Sequence, residues 1–209
     1  KGKSEAVQVY EVLGRVVESA DTTRTTDRMV QSELVGREVE RNRLELQIIH
    51  VINGEGSIVN VTGEAGVGKS RLWAEVLDGA LMERVTVLEG RALSSGRNLS
   101  YYPIIGIIKS WIGANEEERE EQLLARLEAA VRTVAPEQTD EIVPFVATLM
   151  GFTLQGTHAE RMKNVSGDSL PKLIAKHLRD LLTAASAFKP LVLVIEDLHW
   201  ADESSLEML

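Results

Sequence analysis

The chain of 209 residues contains no cysteine, which excludes disulfides and cysteine-held zinc or iron–sulfur centres. Aromatic residues make up only 4%, so a core has to be packed from Leu, Val, Ile and Ala. Positive charge is also short. Lys and Arg number 23 against 32 Asp and Glu, a formal charge of −9 that does not suit direct contact with DNA or RNA. No apolar run approaches the roughly 18 residues of a membrane span. The longest, Leu191–Ile195, has the length of a strand. The opening residues, KGKSEAVQVY, lack the apolar stretch of a signal peptide, and the absence of cysteine fits a reducing compartment. A cytoplasmic protein without membrane attachment is expected. The first residue is Lys1 rather than Met, and the chain reads as a piece of a longer one. His50, His158, His177 and His199 are scattered, without the paired spacing of a metal site.

What is present is an ordinary globular balance, 44% apolar and 26% charged, able to bury a real core. Residues 1–17 alternate loosely and read as a terminal strand followed by a short turn. Residues 18–30 (ESADTTRTTDRMV) are polar, without a period, and read as a linker. From residue 31 the texture changes to that of a domain running to residue 209. Helical spacing of Leu44, Ile48, Ile49 and Ile52 predicts a helix over about 37–52, stopped by Asn53-Gly54. The β-branched SIVNVT (57–62) reads as a strand, followed by a glycine-rich loop and a helix over about 69–82. RVTVLE (84–89) reads as a second strand.

Helices are then expected at PIIGIIKSWIG and at NEEEREEQLLARLEAAVRTVAP. The latter carries Leu123, Leu124, Leu127, Val131 and Val134 on one stripe and stops at Pro136. Further helices are expected over 140–150 and 169–185. LVLVIED is a third strand, apolar on both faces, and a last helix has Ser204 and Glu207 at capping-box spacing. Strands separated by helical stretches predict an α/β fold, a parallel sheet with both faces covered and a helical insertion between the second and third strands. Three strands are few for such a sheet, which again suggests a domain continuing past residue 209.

The loop itself reads Gly63-Glu64-Ala65-Gly66-Val67-Gly68-Lys69-Ser70 and satisfies G-x-x-x-x-G-K-[ST] in full. Gly63 and Gly68 permit backbone angles that a Cβ resists, so the amides of about Gly66 to Ser70 can converge on an anion. The helix dipole stands behind them. Lys69 supplies a point charge to the β- and γ-phosphates and Ser70 a hydroxyl to Mg2+. Val67 and Arg71 complete the cradle, whose expected ligands are ATP or ADP with Mg2+.

A phosphate cradle needs an acid at the end of a neighbouring strand. LVLVIEDLHWAD supplies Glu196 and Asp197 directly after five apolar residues. Glu196 is placed to serve the metal and Asp197 to polarise an attacking water. His199-Trp200 reads as packing and capping of the last helix, with a role near the γ-phosphate as the alternative. Arg37, Arg71, Arg91 and Arg97 each stand near a motif, and none can be named an arginine finger from sequence.

Together these stretches resemble the ATPase modules of the STAND class, signal-transduction ATPases related to the AAA ATPases. LVGREVERNRL is similar to the apolar-apolar-Gly-Arg-Glu signature ahead of the first helix of that class. GEAGVGKSRL is similar to its P-loop, and LVLVIEDLHWADESSLEML to its Walker B strand and the next helix. The resemblance covers about residues 33–209 and implies a three-layer P-loop NTPase fold. It also implies that Leu34, Val35 and Gly36 lie near the adenine, with Lys69 and Ser70 on phosphate and metal and Glu196 and Asp197 at the hydrolytic centre. Many relatives carry Asp where this chain has Glu196. A weaker resemblance links KGKSEAVQVYEVLG to the closing strand of class III nucleotidyl cyclase domains, which often precede such modules. None of a cyclase's metal-binding acids is matched, so no cyclase activity is expected of the segment. The implied role is an ATP-binding, slowly hydrolysing regulatory module that works with neighbouring domains of its own polypeptide. A non-catalytic nucleotide-dependent scaffold is the alternative, and the oligomeric state stays open.

Overall fold

Apolar stripes on the helices gather into two separate cores, and the two strands run between them. The computed structural model describes residues 36–94, 100–115, 117–163, 165, 167 and 169–209. The expected tail at 1–17, the linker at 18–30 and the pair Leu34 and Val35 lie outside the described residues.

The first core joins α1 (Glu38–Ile52) to α2 (Lys69–Leu77). Ile48 of α1 meets Val76 and Leu77 of α2, together with Met82 and Val85. Helix α1 opens on Glu38 and Glu40, which suit a helix N-terminus, and gives way at Asn53 to Gly54, whose φ of 84° needs a residue without Cβ. Helix α2 is shorter than its pattern predicts. Gly79 takes an extended conformation and the chain tightens into a 3₁₀ turn over Ala80–Arg84.

Strand β1 (Thr86–Arg91) pairs in parallel with β2 (Leu191–Glu196), in a register running from Thr86 opposite Leu191 to Arg91 opposite Glu196. Side chains alternate across a strand. Val87 and Val192 pack on the α1–α2 core, so Arg91 and Glu196, four residues further on, belong to that same face. The opposite face of β1 meets α3 (Tyr102–Trp111) closely. A Cβ on Gly90 would lie 2.1 Å from the Pro103 carbonyl oxygen, and a Cβ on Gly106 would lie 3.2 Å from the Gly90 Cα.

The second core fills the crossover between the strands, built from α3, α4 (Glu120–Val134), α5 (Thr139–Leu149), α6 (Gly156–Met162) and α7 (Ser169–Phe188). Leu123, Leu127 and Val131 of α4 pack with Ile142, Val143 and Val146 of α5 and with Ile174, Leu178 and Leu181 of α7. The expected helical insertion is therefore present, with α6 added. Its seven residues, GTHAERM, are too short and polar to carry a stripe. Beyond β2 comes α8 (Glu203–Met208).

One expectation fails. Residues 57–62 form no strand, and Ile58, Val59 and Val61 are 97%, 48% and 45% exposed. The sheet of the described residues has two strands, not three. Branched side chains supply strand propensity, but a strand also needs a hydrogen-bonded backbone neighbour, and neither described strand pairs with this segment. The chain is thus mostly helical with a small parallel sheet, consistent with an α/β domain. Among the described residues no helix is long and apolar enough to cross a membrane.

Candidate functional site

The glycine-rich loop leads straight into α2, as its pattern requires. Gly66 and Gly68 have φ of 81° and 97°, the left-handed region that a side chain resists. Gly63 is closed in differently: a Cβ there would sit 3.0 Å from Val67 Cγ1. Gly68 caps α2, and Leu72 N–H is the one that returns to the Gly68 carbonyl, at 2.9 Å. The amides of Lys69 and Ser70 therefore have no carbonyl within the helix and face outward at its positive end. The Lys69 ammonium folds back over the loop and donates to the carbonyls of Gly63 at 2.9 Å and Glu64 at 3.0 Å. A cation held beside the outward amides of Lys69 and Ser70 suits an anion with several oxygens, while the Val67 N–H is turned to the Glu64 carbonyl at 3.4 Å. Two shallow surface clefts of the described residues lie elsewhere, one beside α6 and one beside β1. An open cradle is no obstacle, because phosphate is held by backbone amides and not by enclosure.

Arg37, at the start of α1, reaches this loop. Its guanidinium pairs with Glu40 at 2.9 Å and donates to the Val67 carbonyl at 3.5 Å. That pairing holds the Glu40 carboxyl below its ordinary value. Gly36 and Arg37 thereby adjoin the tip of the cradle, and Arg71 continues α2 beyond it. Sequence reasoning noted Arg37 only as a neighbour of a motif.

The acids sit where the strand ends. Glu196 is the last residue of β2, on the face that carries α2, and Asp197 follows in the left-handed region with φ of 56°. Both are bound by one arginine from the adjacent strand. Arg91 Nη2 lies 3.4 Å from Glu196 Oε2, and Arg91 Nε donates to Asp197 Oδ2 at 3.2 Å. No local pattern announces this pairing; the parallel register makes it, by setting Arg91 opposite Glu196.

Asp202 was also missed. The expected capping box of Ser204 and Glu207 does not form as the cap of α8; Asp202 is the N-cap, accepting from Ser205 N–H at 3.0 Å. Its carboxylate accepts the Ser205 hydroxyl as well and Tyr101 N–H at 3.3 Å, which ties the start of α3 to the start of α8. Burial pushes the Asp202 carboxyl up, but the hydrogen bonds from Ser205 and Tyr101 outweigh it and hold the group below its ordinary value. The signal was legible in WADES, an Asp just ahead of a helix. His199 and Trp200 lie ring against ring at 4.9 Å, in keeping with packing.

Among the described residues no three His, Asp or Glu side chains gather as a metal cage. The oxygen donors on hand are the Ser70 hydroxyl and the Glu196 and Asp197 carboxylates. Hard, sparse donors of this kind fit Mg2+, which keeps much of its water and takes phosphate oxygens as ligands.

An anion cradle at the start of α2 and a carboxylate pair at the end of β2, on the same side of the sheet, set the context for comparison. The AAA ATPase domain family matches residues 33–209. The chain belongs to this family. The AAA ATPase domain is a nucleotide-binding ATPase unit, which is the broad function the chain carries. A relative in Rhizobium meliloti (strain 1021), itself an uncharacterised protein, is 25% identical over all 209 residues. The chain spans about a fifth of that relative's length, 20%. No solved structure matches it.

Proposed function

We propose that this AAA ATPase domain binds Mg-ATP at Gly63–Ser70, hydrolyses it slowly, and uses the nucleotide state to regulate neighbouring domains of a longer polypeptide. One observation carries the reading: the outward amides and Lys69 at the start of α2 share a side of the sheet with Glu196. In that arrangement the amides of Gly66, Val67, Gly68, Lys69 and Ser70 hold the phosphates, with Gly63 and Arg71 flanking them. Lys69 leaves the Gly63 and Glu64 carbonyls for the β- and γ-phosphates. The Ser70 hydroxyl and Glu196 would hold the metal, which would supply charge stabilisation to the phosphate oxygens. Asp197 orients and deprotonates the attacking water. Leu34, Val35 and Gly36 border the base, a role that rests on the opening motif, and the contact of Arg37 with the cradle fits it for the residues from Gly36 on. The finer assignment, a STAND-class module in a three-layer P-loop fold, rests on the opening, P-loop and acidic-strand motifs. We assign residues 1–17 to a preceding domain, of class III cyclase type, residues 18–30 to a linker, and residues 31–209 to the ATPase. The much longer relative supports a multidomain setting. A cytoplasmic location follows from the same reading.

The test is ligand-linked stability. Mg-ATP at 100 times its dissociation constant stabilises a binding-competent fold by about 2.7 kcal/mol. Lys69→Ala is expected to abolish that shift while leaving the melting of the free protein within about 0.5 kcal/mol, since Lys69 is only half-buried and its two bonds to loop carbonyls are solvent-exposed. If neither ATP nor ADP moves the melting of the wild-type chain, the reading is wrong. A second reading, a nucleotide-dependent scaffold without turnover, is favoured by the engagement of both acids with Arg91. Single-turnover phosphate release, with Asp197→Asn as control, separates the two.

A further inference from the structure

We propose that Arg91 is a latch on the acidic pair: its guanidinium competes with a divalent cation for Glu196 and Asp197, and cation binding requires its release. The inference rests on the reading of these acids as metal-side groups and adds a residue that the reading does not include. The geometry is specific. Two nitrogens of one guanidinium each engage a different carboxylate, at 3.4 Å and 3.2 Å, across paired strands whose register sets Arg91 opposite Glu196. A single positive charge holds two negative ones, so the trio keeps a net negative charge that still attracts a cation. Asp197 takes φ of 56°, a left-handed conformation that Asp adopts more readily than most residues, and in it the carboxylate meets Arg91 Nε at 3.2 Å.

The strength is matched to a switch. The Arg91 side chain is 54% exposed and that of Asp197 is 45%, so solvent screens both ion pairs and the latch opens at modest cost. The backbone beside the latch is paired independently of its side chain, since Ala92 N–H donates to the Glu196 carbonyl at 3.0 Å, so the guanidinium can leave the acids while the strands stay joined.

The experiment titrates Mn2+ alone into the 209-residue chain and follows free Mn2+ by electron paramagnetic resonance. Arg91→Ala is expected to tighten Mn2+ binding about three- to tenfold, and Arg91→Lys to fall between Ala and wild type. Adding Glu196→Gln and Asp197→Asn to Arg91→Ala is expected to remove the gain. In parallel, the Arg91 Nε–H resonance of the wild-type chain is expected to lose its exchange protection as Mg2+ is added, a readout that needs no variant. Equal or weaker Mn2+ binding by Arg91→Ala, or an Arg91 resonance indifferent to Mg2+, overturns the latch. The nucleotide reading fails separately, in the Lys69→Ala melting comparison, so either can fall while the other stands.

Discussion

The helical layer and the nucleotide-facing half of the molecule are built on opposite terms. Between β1 and β2, the helices α3 to α7 bury Leu127, Val131, Ile142, Val143 and Val146 completely. Around the cradle, the loop, the lead-in segment 57–62 and the acidic turn are open to solvent, and Leu193 in the middle of β2 is 42% exposed. Stability resides in the first half and chemistry in the second. The difference follows from what each needs. Close-packed helices lose water once and keep still, whereas a phosphate cradle must leave its amides outward and admit an ion of several charges.

The sharpest way to break this comparison is to remove side chains from each half. Leu127→Ala leaves a cavity among three helices and is expected to cost about 2–5 kcal/mol. Ile58→Ala, in the lead-in segment, is expected to stay within about 0.5 kcal/mol. Urea melts of the two variants decide the matter. Equal losses would mean that segment 57–62 is as well packed in solution as α4, and the contrast would collapse.

Gly90→Ala tests the seam where the helical layer meets the sheet. The added methyl has no room against the Pro103 carbonyl, so α3 must shift, at an expected cost of about 1–3 kcal/mol. The same substitution at Gly56, where a Cβ would meet nothing within 4 Å, serves as the control.

A smaller effect is expected at Asp202. Asp202→Ala removes the cap of α8 and the bond to Tyr101, for a loss of about 1 kcal/mol. Because the folded-state pKa of Asp202 is depressed, its contribution is present above the unfolded carboxyl value and is lost as pH falls through the folded one. Acid titration of stability in wild type and Asp202→Asn reads this out.

The last prediction concerns His177, buried in the helical layer and stacked on Phe145 with ring centres 4.3 Å apart. Burial pushes its pKa down. Lys176 adds to the shift and Asp180 opposes it. Unfolded chains then bind the proton better than the folded one, so the stabilising effect holds above about pH 6.5 and fades as pH falls below it. Melts at pH 7.5 and 5.5 should show the helical layer loosening in acid, and His177→Phe should reduce that dependence. An unchanged slope in the variant would assign the acid sensitivity elsewhere.

Much of the molecule is legible without coordinates where one residue type has one local job. The cradle is largely of that kind, since Gly68 takes the positive φ expected of it and Lys69-Ser70 start the helix, although the second left-handed glycine is Gly66 and not Gly63. The stripe of α4 is too, because a period of 3.6 reports a buried face whatever lies opposite. Asp202 is legible by the same reasoning, as an Asp two residues ahead of the expected Ser204 cap. The segment SIVNVT shows the limit. Its composition is that of a strand, but strand formation is a property of two segments, and its neighbour cannot be read from its own residues.

The amino-acid sequence by itself determined the helices, the phosphate cradle and the presence of two acids after an apolar strand, because each depends on contacts within a few residues. Only the tertiary structure decided that Arg91 binds both acids, that Asp202 ties α3 to α8 and that residues 57–62 stay outside the sheet. Those features join positions far apart in the chain. Register and packing select them, since the charge on Arg91 is the same in any neighbourhood and only the pairing of β1 with β2 brings it to Glu196 and Asp197.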